Sequence, residues 1–285
     1  MPRKHDREEA ITAQKDVGLN RPVVLAAAAA CALLAGCGKP STPAQAPAAT
    51  RTPAQSDYVA PPEVTGVSGD PGRMLVLQGA AQPQARIRLA SADGAASGAT
   101  AGPSGAWTLP IAPASTPRLF SLAADMDGRT VPARGYLALL PGGEAAMLRP
   151  AAGARPMIPP GAPPRIGAVD FDAAGAGVVS GRARPDRPVR VLLDGQDAGE
   201  GRTDRNGWFD VSLSDNLKPG RHAVAVGTAD GRADAAFDGA HAAPIAAPPM
   251  NAARVDGGWR LDWMSPGGGV QSTVLFDQAP IRSAR

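Results

Sequence analysis

The sequence is poor in the residues that build metal, redox and nucleic-acid sites. Among 285 residues there are two cysteines and three histidines. Cys31 lies inside an apolar run and Cys37 closes it, so the body of the chain holds no thiol for a disulfide framework or a cysteine-based tetrahedral metal site. His5, His222 and His241 are too few and too separated for a histidine cluster. Beyond residue 36 the only lysines are Lys39 and Lys218, and the formal net charge is +3 with basic residues scattered. That distribution excludes the clustered basic face of a nucleic-acid binder. Aromatic residues make up 4% of the chain. The longest apolar run, residues 23–35, is stopped by Lys39-Pro40 short of the ~20 residues a spanning helix needs.

Catalytic signatures are also missing. No Gly-x-Ser-x-Gly occurs, so the sharp turn of a serine hydrolase is not encoded. Gly175-x-Gly177 with Gly181 has the spacing of a dinucleotide loop, but no helix pattern follows and the stretch reads as a turn and strand. Asp125-Met126-Asp127-Gly128 opens like a calcium loop and lacks the later ligands and closing glutamate, so a turn is expected. His222 falls in the inward phase of its strand and reads as a partly buried core histidine, with no carboxylate evident beside it in sequence. No catalytic residue, metal or cofactor is expected.

What the N-terminal region does carry is a cationic residue, Arg21, the apolar run, and small residues ahead of a cysteine in Leu34-Ala35-Gly36-Cys37. This order is that of an export leader with a cut site. The four residues resemble the lipobox of bacterial lipoprotein signals. The resemblance implies a helical signal segment over 1–36, cleavage before Cys37, and a diacylglycerol thioether with an acylated (palmitate-type) amine on Cys37. Several chains together anchor durably where one does not. The chain is then lipid-anchored in the cell envelope, with Gly38 implying the periplasmic face of the outer membrane and the inner membrane left open. A short uncleaved membrane helix and a buried apolar helix are the other readings of 23–35. Asp6, Glu8, Glu9 and Asp16 are unusual in a leader, and a start near Val17 would remove them.

Residues 38–62 are rich in Pro, Ala, Thr, Gln and Ser without apolar periodicity and read as a flexible tether. Residues 141–164 (Pro141-Gly142-Gly143, Pro159-Pro160, Pro163-Pro164) read as a second linker, and 240–253 as a shorter third. Between the linkers the chain repeats itself at a constant separation. Leu77-Gln78-Gly79 matches Val179-Ser180-Gly181, Pro83 matches Pro185, Ile87-Arg88-Leu89 matches Val189-Arg190-Val191, and Gly105 matches Gly207. Each unit alternates as short strands. Trp107, Leu109 and Ile111 share one phase, Phe209, Val211 and Leu213 the matching one, with turns at Asp194-Gly195 and a hairpin expected at Asn206-Gly207.

The stretch Pro188-Val189-Arg190-Val191-Leu192-Leu193-Asp194-Gly195, then Asp204-Arg205-Asn206-Gly207-Trp208-Phe209 and Lys218-Pro219-Gly220-Arg221-His222, resembles the immunoglobulin-like modules of bacterial envelope proteins. The expected fold is therefore all-β: two tandem immunoglobulin-like antiparallel sandwiches over 63–140 and 165–250, and a C-terminal β-hairpin over 251–285 docking on the second. In that hairpin Trp259, Leu261 and Trp263 alternate with Arg260, Asp262 and Met264. Trp208, Trp259 and Trp263 are the expected contact residues, with envelope proteins or peptidoglycan as partners. The overall reading is a non-catalytic, membrane-anchored interaction or spacer module, the alternative being a peptidoglycan- or glycan-binding lipoprotein using exposed tryptophans.

Overall fold

Within the two repeats, alternating apolar residues, turn-forming Asp-Gly pairs and frequent prolines leave no stretch with helical spacing, and the regular elements among the described residues are all strands. The structure, a computed structural model, describes residues 58–70, 73–158, 164–242, 244–245, 249–266 and 268–277. The apolar run, the expected signal helix and Cys37 lie outside the described residues.

The first repeat comprises β1 (Glu63–Ser68), β2 (Leu75–Ala80), β3 (Arg86–Ser91), β4 (Ala96–Thr100), β5 (Ala106–Ile111), β6 (Arg118–Met126) and β7 (Arg129–Leu139). A three-stranded sheet β1-β2-β5 faces a sheet that begins β4-β3-β6-β7. Leu77, Ile87, Trp107, Leu122 and Leu137 from both sheets fill the space between them. After β7 the chain adds β8 (Ala145–Leu148) and β9 (Arg155–Pro156) to the same sheet, giving the order β4-β3-β6-β7-β8-β9. The stretch 141–164, expected to be a linker, thus contains two paired strands. Gly135 makes room for β8, since a Cβ there would lie 2.3 Å from the Leu148 carbonyl oxygen.

The second repeat has β10 (Arg165–Asp172), β11 (Gly177–Arg182), β12 (Pro188–Leu193), β13 (Gln196–Arg202), β14 (Trp208–Ser212), β15 (Arg221–Thr228) and β16 (Gly231–Asp238). The same pattern recurs: β14-β11-β10 faces β13-β12-β15-β16. The C-terminal segment is a three-stranded meander of β17 (Met250–Val255), β18 (Gly258–Met264) and β19 (Val270–Phe276), so part of the expected third linker is strand. β19 pairs with β10 and extends the three-stranded sheet to β14-β11-β10-β19-β18-β17. Val274 and Phe276 of β19 point into the core of the second sandwich.

The duplication is visible atom by atom. Gly105 and Gly207 have φ of 83° and 80°, and a Cβ on either would sit 2.3 Å from the carbonyl oxygen of Ala81 or Ala183 respectively. Only glycine fits both the conformation and the approach. The Asp194-Gly195 and Asp127-Gly128 turns carry positive φ at both residues (51° and 80°, 51° and 74°), as two-residue hairpins require. The expected hairpin at Asn206-Gly207 is not formed: β13 and β14 belong to opposite sheets. The Asp204 carboxylate accepts the backbone N–H groups of Asn206 and Trp208, and Asn206 keeps a negative φ, so the turn carries the chain across the sandwich.

A third apolar cluster joins the two sandwiches. Leu119, Ala138, Leu140, Ala146 and Leu148 come from the first repeat and its extension, and Ala168, Leu261, Trp263 and Leu275 from the second and its meander. β8 and the end of β7 are therefore buried on both faces, with Leu137, Leu139 and Met147 turned into the first core and their neighbours into the joint. Four of the residues in this cluster are alanines, which let the sheets approach closely.

Candidate contact sites

The three expected contact tryptophans occupy different environments. Trp263 on β18 has no exposed surface; it packs edge-on against Tyr136 (ring centroids 6.1 Å apart) at the centre of the joint. It therefore offers no stacking face to a ligand, and the expectation is corrected: the meander face that carries Trp263 is covered by the first sandwich. Trp208, on the edge strand β14, is half-buried under two guanidinium groups, Arg182 at 4.5 Å and Arg155 at 5.6 Å from its ring centroid. Trp259 is half-buried with Arg254 at 5.5 Å from its ring. Cations hold both rings by the attraction of the ring face for positive charge.

The segment 149–158 crosses the outer face of the second sandwich and is fixed there by polar contacts. Arg149 donates to the carbonyls of Ala152 and Gly153 and to Asp210 at 2.5 Å, and Arg155 reaches the other Asp210 oxygen at 3.0 Å. Ser180 donates to the Ala154 carbonyl at 2.6 Å, and Arg182 to that of Ile158 at 3.0 Å. Next to these lies Asp170, fully buried. The Trp263 Nε1–H donates to Thr273 Oγ1 (3.0 Å), whose hydroxyl donates to Asp170 (2.5 Å), while the Ala154 N–H serves the second carboxyl oxygen (2.6 Å). Burial raises the Asp170 pKa to about 6, against the two hydrogen bonds and the charge of Arg149, which favour the ionised form. Buried groups so connected specify one arrangement of the two sandwiches.

His222 is the satisfied, partly buried histidine its strand phase indicates, but it has a carboxylate beside it that its sequence neighbourhood does not show. Its Nδ1 lies 2.7 Å from Asp194 Oδ2 and its Nε2 2.7 Å from the Lys218 carbonyl, while its ring stacks on Phe237 at 5.6 Å. Both partners only accept, so the geometry calls for a proton on each nitrogen. Burial pulls the His222 pKa down, and the bonds to Asp194 and Lys218 more than offset it, leaving a net rise. Asp194 sits in the Asp194-Gly195 turn, and the β12–β15 register places that turn beside Ala223. That register was the missing signal.

Asp125 accepts a hydrogen bond from Thr130 across the β6–β7 turn, and no group of three His, Cys, Asp or Glu side chains among the described residues has metal-binding geometry. Asp172 accepts the N–H groups of Ala174 and Ala176, which makes Gly175-x-Gly177 part of a β-turn.

The strand orders and the facing cores define the class: two tandem immunoglobulin-like antiparallel sandwiches. No protein-family model and no curated protein matches the sequence. Among solved structures, the chain is similar to the central fibronectin-III array of RIM-binding protein, at 14% identity over 80% of this chain and 97% of that one, with a TM-score of 0.27. It is also similar to the BSP domain of a biofilm associated protein (12%, 65% and 30% covered, 0.24) and to the adhesin InvE of Yersinia pseudotuberculosis (12%, 71% and 66%, 0.19). The strand order, and not these likenesses, defines the class.

Proposed function

We propose that the chain is a non-catalytic envelope lipoprotein, acylated at Cys37, that holds its fused pair of sandwiches at a membrane surface as an interaction or spacer module. The observation that supports the module reading is the joint. An apolar cluster and the polar contacts of the 149–158 segment with Asp170, Ser180 and Asp210 hold the two sandwiches in one arrangement, as a body that presents surfaces at a fixed spacing requires. Leu34-Ala35-Gly36-Cys37 supports the anchoring. Tethering raises the effective concentration of weak contacts with neighbouring envelope components.

Metabolic labelling with a palmitate analogue tests the anchor: label on the native chain and none on Cys37→Ser is the expected result. An unlabelled chain in the soluble fraction would refute it. Retention on purified sacculi that Trp208→Ala or Trp259→Ala abolishes would favour wall binding instead.

A further inference from the structure

The seven-strand unit occurs twice, so each repeat is a control for the other. They differ sharply at the edge strand of the four-stranded part, β4 in the first and β13 in the second.

β13 is closed to further pairing. It carries Asp197, Glu200 and Arg202, with Asp197 held by Arg190 across the pair. It is bulged, with Val191 opposite Gly199 and Leu192 opposite Asp197, so that Ala198 is the extra residue. The Ala198 carbonyl accepts both the N–H and the hydroxyl of Ser214 (2.8 and 3.0 Å), tying the edge to the facing sheet. A Cβ on Gly199 would lie 2.6 Å from the Ser212 carbonyl oxygen, so no gap separates β13 from β14. Charges and bulges are the usual protections of a sheet edge.

β4 has none of them. Its sequence is Ala96-Ser97-Gly98-Ala99-Thr100, without charge, and its register with β3 is unbroken. The bonds Ser91 N–H to Ala95 and Ala101 N–H to Ala85 set the alternation, so Ser97 and Ala99 bond to β3. The N–H and C=O groups of Ala96, Gly98 and Thr100 then point away from the sheet. Between β4 and β5 lies an open groove of about 460 Å³, lined by Gly98, Thr100, Ala106, Trp107 and Thr108 among others. On β3, Arg86 stands opposite Thr100 and Arg88 opposite Gly98. Both are exposed, and neither has an ion pair or side-chain hydrogen bond among the described residues; on β6 Asp125 stands opposite Arg86 and Ala123 opposite Arg88, which makes Arg88 the cation with no acidic residue facing it.

We propose that β4 is a docking edge for an extended, acidic peptide segment of a partner protein, which adds as a further strand. Its main chain would pair with Ala96, Gly98 and Thr100, and its acidic side chains would meet Arg86 and Arg88. Strands lie ~4.8 Å apart, so the added strand is two spacings from β3, and the small Gly98 and Thr100 leave the path between opposite charges clear. Main-chain bonds supply affinity and alternate side chains the selectivity. A second copy pairing through β4 would bring no acidic side chain to Arg86 and Arg88, since β4 carries none, so it lacks the charge complement that an acidic segment supplies. The proposal rests on the interaction-module reading but not on the anchor, so palmitate labelling is indifferent to its outcome.

The test uses the full chain in detergent and two labelled ten-residue peptides, one alternating threonine and glutamate, the other threonine and lysine. Fluorescence anisotropy should show saturable binding of the glutamate peptide alone. Arg88→Glu should weaken it about tenfold or more and admit the lysine peptide. Gly98→Pro, at a residue whose N–H the β3–β4 ladder does not use, should abolish binding with the melting temperature kept. In the native chain, amide exchange at Ala96, Gly98 and Thr100 should slow when the glutamate peptide is added; this reading stands even if Gly98→Pro fails to fold. Equal binding of both peptides, no binding, or unslowed exchange overturns the proposal. So does a concentration-dependent dimer that Gly98→Pro removes, since the edge would then belong to a second copy.

Discussion

The two repeats share seven strands and differ in where they grow. The first adds β8 and β9 to its four-stranded sheet; the second adds β19, β18 and β17 to its three-stranded sheet. The additions meet, and their contact is the joint. A duplicated unit has thus become an asymmetric pair, in which the strands outside the repeat, together with Leu119, Ala138 and Ala168 from within it, carry the association. The core of each sandwich specifies its fold, while the additions specify how the two are held.

The largest test of that contrast removes the meander. A chain ending at Ala240 loses Val274 and Phe276 from the second core and Leu261, Trp263 and Leu275 from the joint. At ~1.5–3 kcal/mol for each large apolar side chain, the loss is comparable with the whole stability of a small domain. The second sandwich should lose cooperative unfolding in calorimetry, whereas the first should keep its own transition. Survival of both transitions would mean that the additions are ornament.

A smaller effect comes from Asp170, which has no ionisable counterpart in the first repeat: the residue matched to it by the repeat is Ser68. Unfolded, the carboxyl loses its proton near 3.8; folded, it does so near about 6. Between these values the native state binds more protons, so stability falls as pH rises across the window. The difference amounts to roughly 3 kcal/mol. Asp170→Asn should flatten melting temperature against pH between 4 and 6. An unchanged slope would show that the carboxyl is not insulated from water.

The smallest effect is at His222, matched in the first repeat by Phe120. Its folded pKa is raised, so its contribution is fully present below the ordinary value of 6.5 and disappears as pH rises through the folded value. The second sandwich should melt a few degrees lower at pH 9 than at pH 6 from this source. His222→Gln should remove that difference, as should Asp194→Asn.

Much of each sandwich was legible in the sequence. Residues such as Val189 and Val191, or Phe209 and Val211, alternate cleanly, and Asp194-Gly195 states its turn outright. The joint was not legible, for a physical reason. Ala145-Ala146-Met147-Leu148 is buried on both faces, so it has no alternation to detect, and prolines and glycines on either side make it read as linker. Asp170 looks like the solvent phase of β10, and nothing local says that another sandwich covers that face. Trp263 reads as surface-capable for the same reason. Asn206-Gly207 has the composition of a hairpin, but the Asp204 carboxylate captures the turn first. The Cys37 anchor is a matter of motif alone.

The position of β19 sets an order of events in folding. It lies between β10, which opens the second repeat, and β18, so the hydrogen bond from Thr273 to Asp170 closes a span of 103 residues. Pairings that far apart along a chain form slowly. A chain emerging N-terminus first can complete the β1–β7 sandwich while the other half is still a scaffold missing its central rib. Until residue 276 has emerged, β10 shows an unpaired flank, and that interval is when a newly made molecule is most open to capture by chaperones or by its own kind.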